Sequence, residues 1–302
     1  MAANRPVVAL AMGDPAGISP ELTAKLLALE EVRNAAHIVV FGDRRILEEG
    51  AQAAGEMPKV DWVRLGQPYA FSGHPVFVDL ENLSPEKVTR GEATPIGGAY
   101  AIENFRQALS MARDGKAQAV CFTPFNKQAM RYVYPGYEDE IKFVSEVIGF
   151  DGVAREFNIL EGLWNARVTS HIPLSAVAGT LTQESILAEL ALADRCLRES
   201  GLDNPRIAVA AINPHAGDGG NCGKDEITLI GPAVQEAIAR GFNASGPYPA
   251  DTVFVRARSG AFDAVLTMYH DQGQIAMKLM GFDRGVTLLG GFPFPICTPA
   301  HG

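Results

Sequence analysis

The chain of 302 residues is long enough for one large α/β domain or two medium ones. Its 47% hydrophobic and 20% charged residues are those of an ordinary globular protein. A formal net charge of −9 argues against a general nucleic-acid or membrane-surface binder, but not against a small anionic substrate, which feels only its local pocket. No apolar run reaches the length of a membrane span, and the four scattered cysteines (Cys121, Cys196, Cys222, Cys297) form no CxxC pair, which points to reduced thiols in a cytoplasmic protein.

Near the start, "PVVALAM" reads as a buried first strand. Its apolar core is too short for a signal peptide and runs straight into "GDPAG". "SPELTAKLLALEEV" reads as one helix, with Ser19 placed to cap it and Pro20 in its first turn. "HIVVFGD" is a strand, "PIGGAYAIENFRQALSMARDG" a long amphipathic helix stopped by glycine, and "AQAVCFTPFNK" a strand with its exit loop. "RYVYPGYEDEIKFVSEVIG" is denser in aromatics and charge, and is expected to connect two lobes.

The second half repeats the alternation. "ARVTSHIPL", "RIAVAAINPHAGDGG" and "FDAVLTMYHDQGQ" are strands with their exits. "TQESILAELALADRCLRESG", closed by Gly201, and "DEITLIGPAVQEAIARG" are helices between them. Alternation of this kind favours an α/β fold with a mainly parallel sheet flanked by helices. A two-lobed division follows, with one lobe at 1–130 plus 280–302 and the other at 131–279.

Three histidines share one context. His171, His215 and His270 each follow an apolar strand-like run. In open α/β sheets ligands bind beyond the carboxyl ends of strands, so three such residues can converge although they are far apart in sequence. Neutral imidazole suits a divalent transition metal, and three protein ligands with an open position describe a catalytic site. A lone histidine at a strand end is more often a satisfied polar residue. Three in parallel contexts bring the two readings level. His37 and His74 lack this context and read as structural or solvated, while His301 stands beside the chain end.

Neighbouring residues add candidates. Asp271 follows His270 directly, and Asp251 in "PADTVF" lies between the second and third histidine motifs. Either carboxylate can orient a ligand or accept a proton, or simply cap a loop. Lys278 falls on the helix after His270, where its ammonium can hold a substrate oxygen or sit in solvent. "MGDPAGISPEL", containing Asp14 and Gly17, is a strand end, turn and helix start whose N–H groups could bind an anion. It is not GxGxxG, and nothing else matches a Rossmann fingerprint or a P-loop.

"GDPAGISPEL", "TPFNK", "TSHIPL", "NPHAGDGG", "ADTVF", "YHDQGQIAMK" and "TPAHG" occur in this order across nearly the whole chain. Together they closely resemble the 4-hydroxythreonine-4-phosphate dehydrogenase family of vitamin B6 (pyridoxine) biosynthesis. The resemblance implies an isocitrate/isopropylmalate dehydrogenase-like fold, with two α/β lobes around a central cleft. It implies a homodimer with the metal site shared between subunits, and NAD or NADP as hydride acceptor. The 1–130 plus 280–302 lobe would lie on the cofactor side, and 131–279 would carry the metal site and dimer interface. His171, His215 and His270 match the family's metal ligands, with His270 donated across the dimer. The metal would be zinc, with cobalt, manganese or magnesium as alternatives. Asp251 and Lys278 match positions beside the reacting hydroxyl; Asp271 is taken as a catalytic candidate beside His270, and Asp14, Gly17 and Thr287 as candidates for the cofactor. Oxidation followed by decarboxylation is the family's chemistry.

Departures bear on the substrate. Where relatives carry "GHTE", this chain reads "GYEDE", so that Tyr137 and Glu138 occupy substrate-contacting places. Two carboxylates near a phosphate would repel it unless they point away. Thr287 stands where relatives have asparagine, and Ile296 where they have arginine, which removes a bidentate anion contact; Arg284 could partly compensate. The alternative enzymatic reading is a dehydrogenase of a cis-dihydrodiol carboxylate of the terephthalate dihydrodiol type. Outside that class stand a metal-dependent hydrolase and a non-catalytic metabolite-binding relative. Family members continue past "PAHG" with a segment expected to line the cofactor cleft.

Overall fold

The computed structural model describes residues 5–300, so His301 lies outside the described residues. The chain divides into two compact units, residues 1–155 with 292–299, and 156–291 with 300–302.

The first unit holds strands β1 (Val7–Ala11), β2 (His37–Gly42), β3 (Asp61–Arg64), β4 (Val76–Asp79) and β5 (Ala119–Phe122), and the returning strand β12 (Ile296–Pro299). Their order is β3-β4-β2-β1-β5-β12, and every pair is parallel. Helices α1 (Ser19–Ala28), α2 (Glu30–Ala35), α3 (Arg44–Ala54), α4 (Pro95–Arg113), α5 (Lys127–Val133) and α6 (Glu140–Ile148) complete it. One core lies beneath β1, β2 and α1, where Leu10, Val40, Leu27 and Phe77 are all but inaccessible.

The second unit contains β6 (Arg155–Leu160), which opens at the junction, then β7 (Leu163–Arg167), β8 (Ile207–Ala210), β9 (Ala244–Tyr248), β10 (Ala264–Thr267) and β11 (Val286–Gly290). Their order is β11-β6-β7-β10-β8-β9. β6 runs antiparallel to β7, while β7, β10, β8 and β9 are parallel neighbours. β8 (IAVA) and β10 (AVLT) are buried at every residue, the continuous apolar run expected of a parallel strand covered on both faces. Helices α7 (Leu174–Thr180), α8 (Gln183–Glu199), α9 (Gly231–Ala239), α10 (Ala250–Arg258) and α11 (His270–Gly281) connect these strands. α8 starts on a reciprocal capping box between Thr182 and Ser185.

Three expectations need correction. The single helix expected from Ser19 is two, α1 and α2, because Leu29 is extended (φ −66°, ψ 122°). Ser19 does not cap α1 but is its first residue, and its hydroxyl donates to the Pro124 carbonyl at 2.6 Å. The units also divide at 155/156 and 291/292, not at 130/131 and 279/280. Residues 131–155 stay with the first unit because α6 packs on α4. The Phe143 ring stacks on Phe105 at 5.5 Å, and Tyr134 meets it edge-on at 5.5 Å. Residues 280–291 stay with the second because β11 joins its sheet beside β6.

Candidate active site

Because β7, β10, β8 and β9 are parallel neighbours, their carboxyl ends share one edge of the second unit's sheet. His171 lies just beyond β7, His270 opens α11 just beyond β10, and His215 lies in the loop after β8. Asp251 lies in the first turn of α10, just beyond β9. Four candidates, spread over 100 residues of sequence, thus leave four adjacent strands on the same side.

Backbone bonds continue the ladder past the strand ends. Val168 N–H donates to Thr267 O at 2.9 Å, and Thr169 N–H to Met268 O at 3.1 Å. The Thr169 hydroxyl donates to that same Met268 carbonyl at 2.8 Å. This zipper brings the His171 and His270 rings to 5.7 Å between centroids. Gln272 ties the third exit to these two. Its amide nitrogen donates to Ala211 O, just after β8, at 2.6 Å, while its oxygen accepts Met268 N–H at 2.7 Å.

His270 Nδ1 lies 2.7 Å from Asp271 Oδ1. A carboxylate can only accept there, so Nδ1 carries the proton and Nε2 keeps its lone pair for a ligand. Asp271 therefore orients His270. His171 and His215 are exposed. Among the described residues no group of three or more His, Cys, Asp or Glu stands close enough within one chain to hold a metal ion.

A cavity of about 120 Å³ lies along α11 and β11, lined by Asn158, His270, Gln274, Lys278, Phe282 and Thr287 among others. Lys278 Nζ stands 5.1 Å from the centre of the Phe282 ring, which holds the ammonium at the cavity wall. Behind the wall runs a polar network. Buried Arg167 pairs with Glu156 at 2.9 Å, and both Arg167 and Gln274 donate to Asn158 Oδ1. With two donors on its oxygen, the Asn158 amide must turn its nitrogen to Thr287 Oγ1, 3.4 Å away. Arg284 does not line this cavity; it lines a separate one with Arg258 and Met280.

In the first unit, Asp14 follows β1 and Asn126 follows β5. Gly13 N–H donates to Thr123 Oγ1 at 2.9 Å, Asp14 N–H to Pro124 O at 2.9 Å, and Ala16 N–H to Asp14 Oδ1 at 3.0 Å. Gly17 N–H reaches Asp14 O at 3.4 Å. These four amides of the turn are thus bonded internally and are not themselves free donors for an anion. Gly13 is a requirement of close approach, since a Cβ there would stand 2.3 Å from the Pro124 carbonyl oxygen.

The acidic run of the first unit is satisfied locally. Tyr137 is 1% exposed with its ring 5.7 Å from Phe143, and burial pushes its phenol far above the usual range. Glu138 pairs with Lys142 at 2.8 Å, Asp139 caps α6 by accepting Lys142 N–H at 2.9 Å, and Glu140 pairs with Lys127 at 3.0 Å. Tyr137 is thus a core residue, and the carboxylates are directed at their own neighbours. Ile296 is fully buried in β12 opposite Val120, a packing position. Of the remaining histidines, His37 stacks on Phe71 at 4.2 Å, in keeping with a structural role.

Four residues with a place in this architecture escaped the sequence: Asn158, Arg167, Gln274 and Glu226. Partners of Asn158 and Gln274 lie up to 129 residues away, and no spacing rule reaches that far.

A family described as "Pyridoxal phosphate biosynthetic protein PdxA" matches residues 34–302. A relative from Rhizobium meliloti (strain 1021), carrying the name "Putative 4-hydroxythreonine-4-phosphate dehydrogenase 2", is 62% identical over 99% of this chain and 86% of its own. The crystal structure of a 4-hydroxythreonine-4-phosphate dehydrogenase from Klebsiella pneumoniae is similar at a TM-score of 0.86 and 35% identity, covering all of this chain and 91% of that one. A terephthalate 1,2-cis-dihydrodiol dehydrogenase from Burkholderia xenovorans LB400 is similar at 0.67 and 28% identity, over 99% and 90% of the two chains.

Proposed function

The chain belongs to the PdxA family of dehydrogenases, and from that premise we propose that it is an NAD-dependent, divalent-metal-dependent enzyme oxidising the carbon-bound hydroxyl of a small hydroxy acid. Where the product is a β-keto acid, loss of carbon dioxide follows. The observation that carries this reading is the placement of His171, His270 and His215 beyond the carboxyl ends of three adjacent parallel strands.

The donor set fits a divalent ion. Imidazole suits zinc, cobalt, nickel or iron, and the Asp271 bond leaves His270 Nε2 available. Zinc is the first candidate. His171, His215 and His270 would hold such an ion, which would supply Lewis acidity toward a substrate hydroxyl, and a bound nicotinamide would supply the hydride acceptor for the same carbon. Asp251 accepts the hydroxyl proton. Lys278 holds the substrate's anionic end or relays that proton, and Thr287 offers a hydroxyl from the same cavity wall. Asp14 and Gly17 are assigned to the cofactor.

The proposed assembly is a homodimer. Ile275 and Leu279, at i and i+4 along α11, are 61% and 84% exposed, an outward apolar pair that suits a second copy. His270 begins the same helix and is the ligand proposed to cross to the partner.

A phosphorylated hydroxy acid is the first substrate to test, because Glu138, Asp139 and Glu140 are occupied locally and do not by themselves repel a phosphate. NAD reduction is measured with added zinc, cobalt, manganese or magnesium. 4-Phosphohydroxythreonine, phosphothreonate and a cis-dihydrodiol carboxylate are compared side by side. Turnover of a phosphorylated acid supports the proposal in full. Turnover of the dihydrodiol alone replaces the substrate, and no turnover of any hydroxy acid overturns it.

A further inference from the structure

The loop that carries His215 is gripped by a carboxylate with no part in the proposed reaction. Glu226 is 4% exposed. Its Oε1 accepts the backbone N–H of Ile212 at 2.9 Å and of Asn213 at 2.8 Å, and its Oε2 accepts Asn213 Nδ2 at 3.0 Å. Burying a carboxylate is costly unless its oxygens are bonded in this way. Asn213 Nδ2 also reaches Asp225 Oδ2 at 2.8 Å, so the amide is held by two carboxylates.

Beyond Asn213 the chain passes through six consecutive residues of positive φ, His215 to Gly220 (55°, 53°, 80°, 45°, 62° and 104°). His215, Ala216 and Asp218 are not glycine, and each such residue costs roughly 1–2 kcal/mol in the left-handed region. Backbone of this kind persists only where its surroundings over-determine it. Glu226 meets the turn at its middle as well as its entry, since a Cβ on Gly217 would stand 2.7 Å from Glu226 Oε2.

We infer that Glu226 is a positioning residue for His215: through Ile212, Asn213 and Gly217 it holds the left-handed turn that presents the imidazole, and so sets the affinity for a divalent ion that it does not itself touch. The inference rests on the metal-site reading above. Without Glu226 the turn relaxes toward negative φ and carries His215 with it.

The test measures zinc binding alone, by competition with a chromophoric chelator, on the full chain and its Glu226→Gln, Asn213→Ala and His215→Ala variants. Amide hydrogen exchange across residues 213–223 of the metal-free proteins is followed in parallel. Glutamine at 226 keeps one acceptor but turns an amide N–H₂ against Asn213 Nδ2. The expected result is zinc affinity lowered about 10–100-fold, the range for partners of a ligand, with faster exchange confined to the loop. Asn213→Ala gives a smaller loss in the same direction. A merely structural role would leave the affinity unchanged, because the dissociation constant of the folded form does not depend on global stability while nearly all molecules are folded. If His215→Ala binds zinc as the wild type does, the metal-site reading fails and this inference with it. If His215→Ala loses zinc but Glu226→Gln retains wild-type affinity, the inference alone is overturned; should Glu226→Gln not fold, Asn213→Ala decides in its place.

Discussion

The carboxylates of residues 138–140 and the imidazoles at the second unit's strand ends are both clusters of ionisable groups, but they are bonded differently. In the first cluster each charge has a neighbour: Glu138 has Lys142, Asp139 has the start of α6, and Glu140 has Lys127. In the second, His171 and His215 are exposed, and His270 has only one ring nitrogen engaged. Groups satisfied at home hold shape, while groups left open at a sheet's carboxyl edge are available to a ligand. The acidic run therefore reads as helix-start chemistry, and the histidines as the edge proposed to bind.

The largest effects should come from the histidines. His215→Ala removes a proposed ligand, and several kcal/mol of transition-state stabilisation with it. Turnover should fall on the order of 10³-fold, at about tenfold per 1.36 kcal/mol. Sharing of the site can be tested with two dead variants. His171→Ala and His270→Ala, co-expressed under different tags, should together recover about a quarter of wild-type activity, since half the dimers are mixed and half of their sites are intact. No recovery would mean that one chain supplies both ligands, as the 5.7 Å approach of their rings within a chain permits.

Next in size is Gly273→Ala. A Cβ there would stand 2.1 Å from Asn165 Oδ1 and 2.6 Å from its Cγ. Asn165 cannot yield, being fully buried with its amide nitrogen bonded to Val265 O at 3.0 Å and Ala166 O at 3.0 Å. The first turn of α11 must lift instead, and His270 with it. Thermal melts should show a loss of about 1–3 kcal/mol, and zinc titration a weaker site. Unchanged zinc affinity would show that the edge tolerates movement of His270.

A smaller effect belongs to the opposite edge of the same sheet. Arg206, just before β8, grips Asp263, just before β10, through Nε at 3.0 Å and Nη2 at 2.7 Å, and also donates its backbone N–H at 2.7 Å. The guanidinium holds the Asp263 carboxyl below the usual carboxylate range. A depressed folded-state pKa gives stability that is present above the ordinary value near 4 and lost as pH falls below it. Arg206→Met should therefore cost about 1 kcal/mol at neutral pH, discounted for a half-exposed guanidinium. The gap from wild type should begin to narrow as pH falls below about 4 and close once pH is below the lowered folded-state pKa of Asp263, where the carboxyl is protonated in both. NAD turnover should stay unchanged, separating the edge that staples the sheet from the edge proposed to bind.

The shared strand-end placement of the histidines was legible in the sequence because each of them follows an apolar run, a local pattern. The helix that opens at Thr182 was legible for the same reason. Ser19 misled because a serine before a proline looks like a cap, whereas its hydroxyl is drawn to Pro124, 105 residues away. The lobe boundary misled because charge and aromatic density in 131–149 suggested a linker, while Phe143 and Tyr134 make that segment core. Arg167, Asn158 and Gln274 are legible only once β6, β7 and α11 are adjacent.

Tyr137→Phe should have the smallest effect, and it bears most directly on the comparison. Family likeness places Tyr137 against the substrate; the structure buries its ring between Tyr134 and Phe143, with no hydrogen-bond partner for its hydroxyl. A buried hydroxyl without a partner has already lost its water, so removing it should leave the melting temperature unchanged or slightly raised. KM should stay within about twofold, because a group that makes no bond has little binding energy to lose. A substrate contact predicts the reverse: a hydroxyl bonded to a substrate oxygen loses roughly 1 kcal/mol or more when deleted, seen as KM raised about fivefold or more at unchanged stability. That result would move residue 137 from the shape-holding cluster to the binding one, and the acidic run beside it would then have to be tested, one carboxylate at a time, for what it excludes.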